Sequence, residues 1–317
     1  MLVGKLVLDE EVVERVIQEI IKKKELKSLS KEFVREVLYA FLSQDTKATA
    51  FLSVLFGEAG QGAAPERKSS KKPGRKSAQY KAIIKHVRAK LRKFYGQYRR
   101  SVDAQRIQEL VERLLAGRIV DQHLLRDLLA LNASTKERLA IYDELYEKLF
   151  QVMGIRSQFT GRPTSIIDLG CGLNPFSIPW MRLEKLHYYA YDVNEEEITQ
   201  LQEFFRYLHL LNRRFRGKAE VLDALHLEGL LDLKKVDLCF LFKMTDVLDR
   251  GKGHRATEAV ITSVPARFVV VSFPTRTLSG KRMNVPEKRW VELMCQRLGY
   301  TVTVLKFPTE IFYVVRK

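Results

Sequence analysis

Apolar residues recur every three or four positions in the first part of the chain, which is the spacing of one face of an α-helix. Ser30 stands where the N-cap of such a helix is expected, and Ser134 with Glu137 forms the S-x-x-E pattern of a capping box. This part of the chain is therefore expected to be helical. The pattern predicts helices over residues 9–23, 31–42, 80–98, 103–116, 121–131 and 134–151.

The spacing changes after residue 164, where short runs rich in β-branched and aromatic residues begin. Helical stretches separate the first five runs, and such alternation predicts a parallel, doubly wound sheet. Only Phe307-Pro308-Thr309 joins the last two runs, and a connection this short requires an antiparallel pair. The predicted strands are 164–168, 187–192, 219–222, 236–242, 267–272, 300–306 and 310–315.

A glycine motif follows the first of these strands. Residues 166–175 read Ile-Ile-Asp-Leu-Gly-Cys-Gly-Leu-Asn-Pro, and glycines 170 and 172 let the backbone approach a ligand closely. A dinucleotide site would need a third glycine to receive a pyrophosphate, but that position is Pro175. The motif, with Asp168 at the strand end, favours S-adenosyl-L-methionine (SAM) over NAD. The alternative is a glycine-rich turn in an unrelated α/β protein.

The antiparallel end of the sheet supports the same choice independently, because ordinary dinucleotide folds do not end in such a hairpin. We therefore predict a class I SAM-dependent methyltransferase fold, which is α/β and Rossmann-like, with a parallel sheet ending in an antiparallel hairpin, over residues 134–317. Residues 1–133 are expected to form an all-α domain that binds RNA.

The RNA-binding expectation comes from the distribution of charge. The net charge of the 317-residue chain is +17, and residues 67–100 contain 14 lysines and arginines without an acid, which leaves +3 elsewhere. Such a segment is the electrostatic footprint of a polyanion site, or a solvated charge run. Residues 57–77 are expected to be a mobile basic loop. The cations expected to contact RNA are Lys81, Lys85, Arg88, Arg92 and Lys93.

The cysteine content and the lack of long apolar runs indicate in which compartment the protein is expected. The three cysteines are far apart and match neither a disulfide framework nor a zinc site. The sequence shows no signal peptide and no apolar run long enough to cross a bilayer. We expect a soluble, cytoplasmic, monomeric protein that binds no membrane and uses no metal.

Two acids at later strand ends are expected to complete a cofactor site, because ligands of doubly wound sheets lie at the carboxyl ends of the strands. Asp192 lies 20 residues after Gly172, where an acid can accept both ribose hydroxyls. Its alternative role is to cap the next helix. Asp223 could accept from the adenine amino group or cap its own loop.

Two further segments at this edge are expected to meet the substrate. Lys243 follows the fourth strand and would point toward the methyl-transfer centre or the RNA, unless it is a solvated lysine on the next helix. Residues 272–281, Ser-Phe-Pro-Thr-Arg-Thr-Leu-Ser-Gly-Lys, place an aromatic ring, hydroxyls and cations where a flipped base could be held. The alternative for this segment is an ordinary surface loop.

The chain resembles the aminoglycoside-resistance 16S rRNA (guanine(1405)-N(7))-methyltransferase family. The likeness covers nearly the whole chain and rests on these motifs in order: Ser134-Thr-Lys-Glu-Arg-Leu, Asp168-x-Gly-Cys-Gly-Leu-Asn-Pro, Lys243, Ser272-Phe-Pro-Thr-Arg-Thr-Leu-Ser-Gly and Thr309-Glu-Ile-Phe-Tyr. It implies a SAM-dependent enzyme that methylates N7 of a guanine in the decoding region (A site) of the small ribosomal subunit. S-adenosyl-L-homocysteine would be the product.

The resemblance also implies roles for individual residues. The cofactor would be held by Arg138 at the SAM carboxylate, with Asp168, Gly170, Gly172, Asp192 and Asp223. The residues around the target base, and so the catalytic set, would be Lys243, Ser272, Arg276 and Glu310. Apart from the resemblance, we expect Lys281 and Arg282, two basic residues after the 272–280 segment, to add contacts to the RNA.

Two departures from the family pattern fall on the RNA side of the site. Thr245-Asp246 stands where the family usually has a proline, and Lys281-Arg282-Met283-Asn284 replaces Lys-Gly-Met-Glu. Three alternatives therefore stay open. They are methylation of a different rRNA base or atom, an RNA-binding ribosome-assembly factor with a vestigial SAM fold, and a small-molecule methyltransferase, which would not need the basic segment.

Overall fold

The computed structural model describes residues 2–3, 6–7, 10–56, 77–95, 104–155, 161–249, 253–277, 281–283 and 287–317. The chain divides into two compact units, Met1–Gln97 and Tyr98–Lys317. This division lies before the boundary expected after residue 133, because helices that follow Tyr98 bury their apolar faces in the core of the second unit. The assignment of residues 1–133 to RNA binding stays a prediction.

The first unit is mainly helical. Within the described residues, the helices expected over 9–23, 31–42 and 80–98 are confirmed, whereas a two-stranded ribbon and a helix after residue 45 were not predicted. Residues 57–76 of the expected mobile loop lie outside the described residues. The elements are the antiparallel pair β1 (Leu2–Val3) and β2 (Leu6–Val7), α1 (Glu10–Ile21), a 3-10 helix (Lys24–Leu26), α2 (Lys31–Leu42), α3 (Thr46–Phe56) and α4 (Ala78–Tyr95).

The core of the first unit forms where the apolar stripes predicted for α1, α2 and α4 meet. Val16, Val34 and Val87 are each fully buried. The hydroxyl of Ser30 accepts the backbone N–H of Phe33 at 3.2 Å, so Ser30 caps α2 as expected.

Four helices open the second unit: α5 (Ala104–Leu115), α6 (Gln122–Ala130), α7 (Ala133–Arg138) and α8 (Tyr142–Met153). The prediction of a single helix over 134–151 is wrong, because the helix is interrupted between Arg138, where α7 ends, and Tyr142, where α8 begins. The predicted capping box is also wrong. Asn132 is the N-cap of α7, and its side chain accepts the backbone N–H of Ser134 at 2.9 Å. This leaves the carboxylate of Glu137 available for a distant partner.

The sheet has the strand order β5-β4-β3-β6-β7-β9-β8. The first five of these strands pair in parallel, and β9 runs antiparallel to both β7 and β8. The predicted fold is confirmed. The strands are β3 (Thr164–Leu169), β4 (Leu186–Asp192), β5 (Phe215–Val221), β6 (Val236–Phe242), β7 (Ala266–Pro274), β8 (Thr301–Lys306) and β9 (Glu310–Arg316).

Helices cover both faces of this sheet. They are a 3-10 helix (Asn174–Met181), α9 (Glu195–Leu211), α10 (Leu227–Leu231), α11 (Thr245–Asp249), α12 (Arg255–Ser263) and α13 (Arg289–Leu298). Because side chains alternate along a strand, Ile166 and Phe240 face the core built with α5, α6, α8 and α9. Ile167 and Cys239 face the core built with α10 to α13. Within the described ranges, no helix combines the length and the apolar character needed to cross a bilayer.

Candidate active site

The glycine loop after β3 has the backbone conformation expected of a close-approach loop. Gly170 and Gly172 have φ angles of 65° and 47°, which residues other than glycine rarely adopt. The carboxylate of Asp192, at the end of β4, accepts the backbone N–H of Gly172 at 2.9 Å and that of Asn194 at 3.1 Å. Asn194 is the N-cap of α9, so the alternative that Asp192 caps this helix is wrong. Asp192 instead ties the loop to the next strand.

Asp223 has one carboxylate oxygen in a structural contact and one without a partner. Its Oδ1 accepts the backbone N–H of Leu225 at 2.9 Å, which is the loop-capping alternative. Its Oδ2 is shielded from solvent and has no hydrogen-bond partner among the described residues. Because a buried acceptor without a donor costs about 1–3 kcal/mol, an amino group brought by a ligand would be stabilised at this oxygen.

Asp168 lies beneath the glycine loop and is almost fully buried. Its Oδ2 accepts from the hydroxyl of Tyr188 at 2.6 Å and from the side-chain amide of Asn174 at 2.9 Å. Burial raises the pKa of Asp168 to about 6, although the two hydrogen bonds act in the opposite direction. Neither Tyr188 nor Asn174 was among the predicted site residues.

We expect Asp168→Asn to stabilise the protein near neutral pH. Folding raises the pKa of Asp168 from 3.8 to about 6. The neutral carboxyl therefore contributes fully to the free energy of unfolding below pH 3.8, and this contribution is lost as the pH rises through 6. A rise of about two in pKa corresponds to ~3 kcal/mol. Asparagine keeps an oxygen for Tyr188 and Asn174 but carries no charge. Urea unfolding should show the variant gaining on the wild type between about pH 4 and pH 8, and a pH-independent difference would contradict this assignment.

Arg138, at the end of α7, forms a buried two-point ion pair with Glu310 at the start of β9. Its Nε and Nη2 donate to the two carboxylate oxygens at 2.9 and 3.0 Å, and its Nη1 donates to Asn174 at 3.3 Å. The guanidinium also lies over the ring of Phe242, 4.6 Å from its centroid. Burial opposes ionisation of Glu310, but the charges of Arg138 and Lys243 hold its pKa below the usual value.

Lys243 joins the same cluster from the end of β6. Its ammonium pairs with Glu137 and lies 3.6 Å from Glu310 Oε2, and the residue is only 4% exposed. The alternative of a solvated lysine is therefore wrong. The backbone N–H of Lys243 donates to Ser272 Oγ at 3.0 Å, and that hydroxyl donates to Glu310. Lys243 has a φ of 56°, which is uncommon outside glycine and is concentrated at functional sites.

Sequence reasoning thus found much of the cluster but not its balance of charge. Arg138, Lys243, Ser272 and Glu310 were predicted and lie together. Glu137 was missed, because the S-x-x-E pattern assigned it to a helix cap. With it, two carboxylates face two cations in the cluster.

The structure exposes Arg276, whereas Arg138, Lys243, Ser272 and Glu310 are buried. Arg276 is exposed and forms an isolated antiparallel bridge with Arg282, and the N–H of Thr277 donates to the carbonyl of Lys281 at 2.8 Å. The described part of the loop therefore turns back on itself and carries Arg276, Lys281 and Arg282 in solvent. Residues 278–280 lie outside the described residues. The roles assigned to these cations stay predictions.

The cations predicted on α4 differ in their surroundings. Lys81, Lys85 and Lys93 are exposed, and Arg92 pairs with Glu25 at 2.6 Å. The guanidinium of half-buried Arg88 donates to the carbonyls of Ile20, at 3.1 Å, and Glu19. These carbonyls belong to the last turn of α1, where they lack helical partners. Arg88 therefore has a structural contact that its sequence position did not reveal, and RNA contact by all five cations stays a prediction.

Known proteins are similar to this chain in sequence and in fold. The family described as ribosomal RNA methyltransferase (FmrO) matches residues 76–314. A 16S rRNA (guanine(1405)-N(7))-methyltransferase of Proteus mirabilis is 28% identical over 253 residues, which are 75% of this chain and 85% of that protein. One of the same name from Micromonospora olivasterospora is 32% identical over 236 residues, 73% and 74% of the two chains.

Two solved structures are similar over almost their whole length. The 16S rRNA methyltransferase RmtF, in complex with S-adenosyl-L-homocysteine, has a TM-score of 0.68 and 22% identity, covering 98% of this chain and 100% of that one. The 16S rRNA methylase RmtB has a TM-score of 0.63 and 20% identity, covering 96% and 98%. These likenesses establish the fold of a SAM-dependent methyltransferase. The family match confirms the resemblance stated from the sequence, and the chain belongs to the ribosomal RNA methyltransferase (FmrO) family.

Proposed function

We propose that the protein transfers the methyl group of SAM to N7 of a guanine in the decoding region of 16S rRNA. The observation that carries the proposal is the set of groups at neighbouring strand ends: a positive-φ glycine loop, the carboxylate of Asp192 that holds it, and the unpartnered oxygen of Asp223. The names of the relatives support the choice of acceptor.

The residues present fit SAM. Asp192 uses two of about four lone-pair positions on its carboxylate, so it can still accept from ribose hydroxyls. Asp223 Oδ2 would accept from the adenine amino group. Three of the five guanidinium donors of Arg138 are engaged by Glu310 and Asn174, and Tyr142 also hydrogen-bonds this group, so a remaining donor would serve the SAM carboxylate.

The charge balance among Glu137, Arg138, Lys243 and Glu310 suits a cationic cofactor. SAM supplies a methyl group already activated on a sulfonium, and guanine N7 offers an exposed lone pair, so no proton has to be removed before attack. The chain then has to supply alignment and a suitable electrostatic environment. Because Glu137 and Glu310 balance Lys243 and Arg138, the cluster offers fixed hydrogen-bond donors without a net positive charge that would repel the sulfonium.

The exposed cations would bind RNA phosphates, which position the substrate without specifying its sequence. Binding to the small subunit should therefore weaken steeply as salt is raised. The target base would have to leave its stack, which costs a few kcal/mol (order of magnitude) that phosphate and stacking contacts repay. We further propose that the protein acts as a cytoplasmic monomer and without a metal.

We expect Asp192→Asn to weaken SAM binding by about tenfold or more, equivalent to 1.4 kcal/mol. The substitution removes the charge and one of the two acceptor oxygens that serve the loop and the ribose. Asn194→Ser lies in the same turn and keeps a capping side chain, so it should bind SAM like the wild type. Isothermal calorimetry measures both affinities. Equal affinity for Asp192→Asn and the wild type would remove Asp192 from the cofactor site.

The proposal is tested by incubating the protein with radiolabelled SAM and intact small ribosomal subunits and then mapping the modified base. Label on N7 of a decoding-region guanine is the expected result. Label on another rRNA base would support the alternative target. Label only on large-subunit RNA or tRNA would overturn the substrate. SAM binding without any transfer would favour the assembly-factor alternative.

A further inference from the structure

A cleft that the proposed cofactor site does not use lies at the carboxyl ends of β6 and β7. Its volume is about 410 Å³, within the usual range for ligand sites. Phe273, in its wall, belongs to the core with α10 to α13, whereas Ser272 pairs with Glu310 on the other side of β7. The cleft and the buried charge cluster therefore approach the end of the sheet from opposite faces.

One wall of the cleft is aromatic. The rings of His254 and Trp290 are stacked, with centroids 4.1 Å apart and an interplanar angle of 4°. Phe273 meets Trp290 edge-on, at 6.1 Å and 89°. Flat aromatic walls suit nucleobases, and base–aromatic stacking typically contributes about 1–3 kcal/mol.

Two acids line the cleft, but only one is available to a ligand. Both carboxylate oxygens of Asp249 are engaged within the protein. They accept the N–H and the hydroxyl of Thr257 at 3.0 and 2.8 Å, and Oδ2 lies 3.3 Å from His254 Nδ1. Asp249 therefore holds His254 in its stacked position. Asp246, in the first turn of α11, is exposed, and no hydrogen bond or ion pair engages it within the described part of the chain.

A cation completes the lining, and Trp290 carries a buried donor without a partner in the described part of the chain. The backbone N–H of Lys288 donates to the hydroxyl of Tyr313 at 2.6 Å, which anchors this residue, and its ammonium lies 5.8 Å from the ring centroid of Phe273. The indole Nε1 of Trp290 is shielded from solvent without a hydrogen-bond partner among the described residues. The lining thus offers an aromatic face, a carboxylate and a cation.

We infer that this cleft binds a guanine nucleotide of the RNA substrate, an inference that rests on the proposed function. Bases taken out of the stack are read at their Watson–Crick edge, and guanine is the RNA base that presents two adjacent donors there, N1–H and N2–H₂. A carboxylate accepts from both at once, which assigns Asp246 to base selection. Lys288 supplies a charge for the nucleotide phosphate, and the aromatic wall supplies stacking.

The position of Asp246 gives the inference its specificity. Thr245-Asp246 is one of the two departures from the family pattern, and Asp246 lies three residues after Lys243. A guanine held by its Watson–Crick edge leaves N7, on the opposite edge of the base, free. The bound nucleotide is accordingly either the acceptor guanine or an unpaired guanine beside it, and kinetics distinguish these two sources.

Tryptophan fluorescence tests the cleft directly. The chain has two tryptophans, Trp180 and Trp290, so W180F leaves Trp290 as the reporter, and W290F gives the complementary signal. GMP, AMP, CMP and UMP are titrated into W180F protein. We expect GMP to quench the emission at roughly tenfold lower concentration than AMP, and D246N in the W180F background to abolish that preference. D232N, an exposed acid outside the cleft, should change nothing.

No GMP quenching of Trp290, or equal GMP preference with and without Asp246, would overturn the inference. Methyl transfer to small subunits by full-length D246N gives a second, independent reading. A fall in kcat marks the acceptor guanine, whereas a rise in KM with kcat kept marks a neighbouring guanine. If both constants match the wild type, the cleft does not bind substrate. If GMP quenches the emission of Trp290 but the wild type transfers no methyl group, the proposed function is wrong, whereas the assignment of the cleft as a guanine site stands.

Discussion

Glu310→Gln is expected to destabilise the protein by about 3–5 kcal/mol, the usual cost of removing one partner of a buried ion pair. The substitution keeps the shape of the side chain but leaves the guanidinium of Arg138, which is 1% exposed, without its counter-charge. Lys243 would lose its second acid and keep its pair with Glu137. Urea unfolding measures the loss. Glu287→Gln, in an exposed pair with Lys306, makes the same chemical change and should alter stability little.

A double variant separates the structural role of this pair from its role in binding. Arg138→Met combined with Glu310→Gln removes both buried charges, and replacing a buried pair by uncharged groups is often close to neutral. We expect most of the lost stability to return, with a large coupling energy in the double-mutant cycle. SAM affinity should stay low, because no guanidinium remains to meet its carboxylate. Restored affinity in the double variant would show that Arg138 serves only the fold.

The sequence predicts the fold well because the relevant signals are local. The change from helical to alternating spacing after residue 164 separates the two kinds of structure, and the three-residue connection Phe307-Pro308-Thr309 permits only an antiparallel pair. Asp192 could be placed for a similar reason. It ends a strand at a fixed distance from the glycine loop, and the end of the strand determines where its carboxylate lies.

The charge balance of the site could not be predicted from the sequence, because the charged residues that pair with one another are far apart in the chain. Arg138 and Glu310 are separated by 172 residues, and Lys243 and Glu137 by 106. The S-x-x-E pattern assigned Glu137 wrongly to a capping box, because Asn132 is the N-cap of this helix. For Arg276, the strand end could be predicted from the sequence, but the exposure of the residue depends on how the following loop turns.

Gly170→Ala is expected to cost about 2–5 kcal/mol of stability and at least about tenfold in SAM affinity. One part of the cost is backbone strain, because a φ of 65° places Cβ against the following carbonyl for about 1–2 kcal/mol. The other part is overpacking, typically 1–3 kcal/mol, because the new Cβ would collide with the sulfur of Met244. Urea unfolding and calorimetry measure the two losses.

Two companion variants divide this cost into its parts. Gly154 has nearly the same φ, 67°, but a Cβ there meets nothing within 4 Å, so Gly154→Ala should show the strain alone. Adding Met244→Ala to Gly170→Ala removes the collision and should return the cost toward that of Gly154→Ala. If Gly170→Ala is no worse than Gly154→Ala, the Met244 side chain moves aside freely. The glycine is then required by its backbone angle and by the ligand, and the contact with Met244 adds nothing.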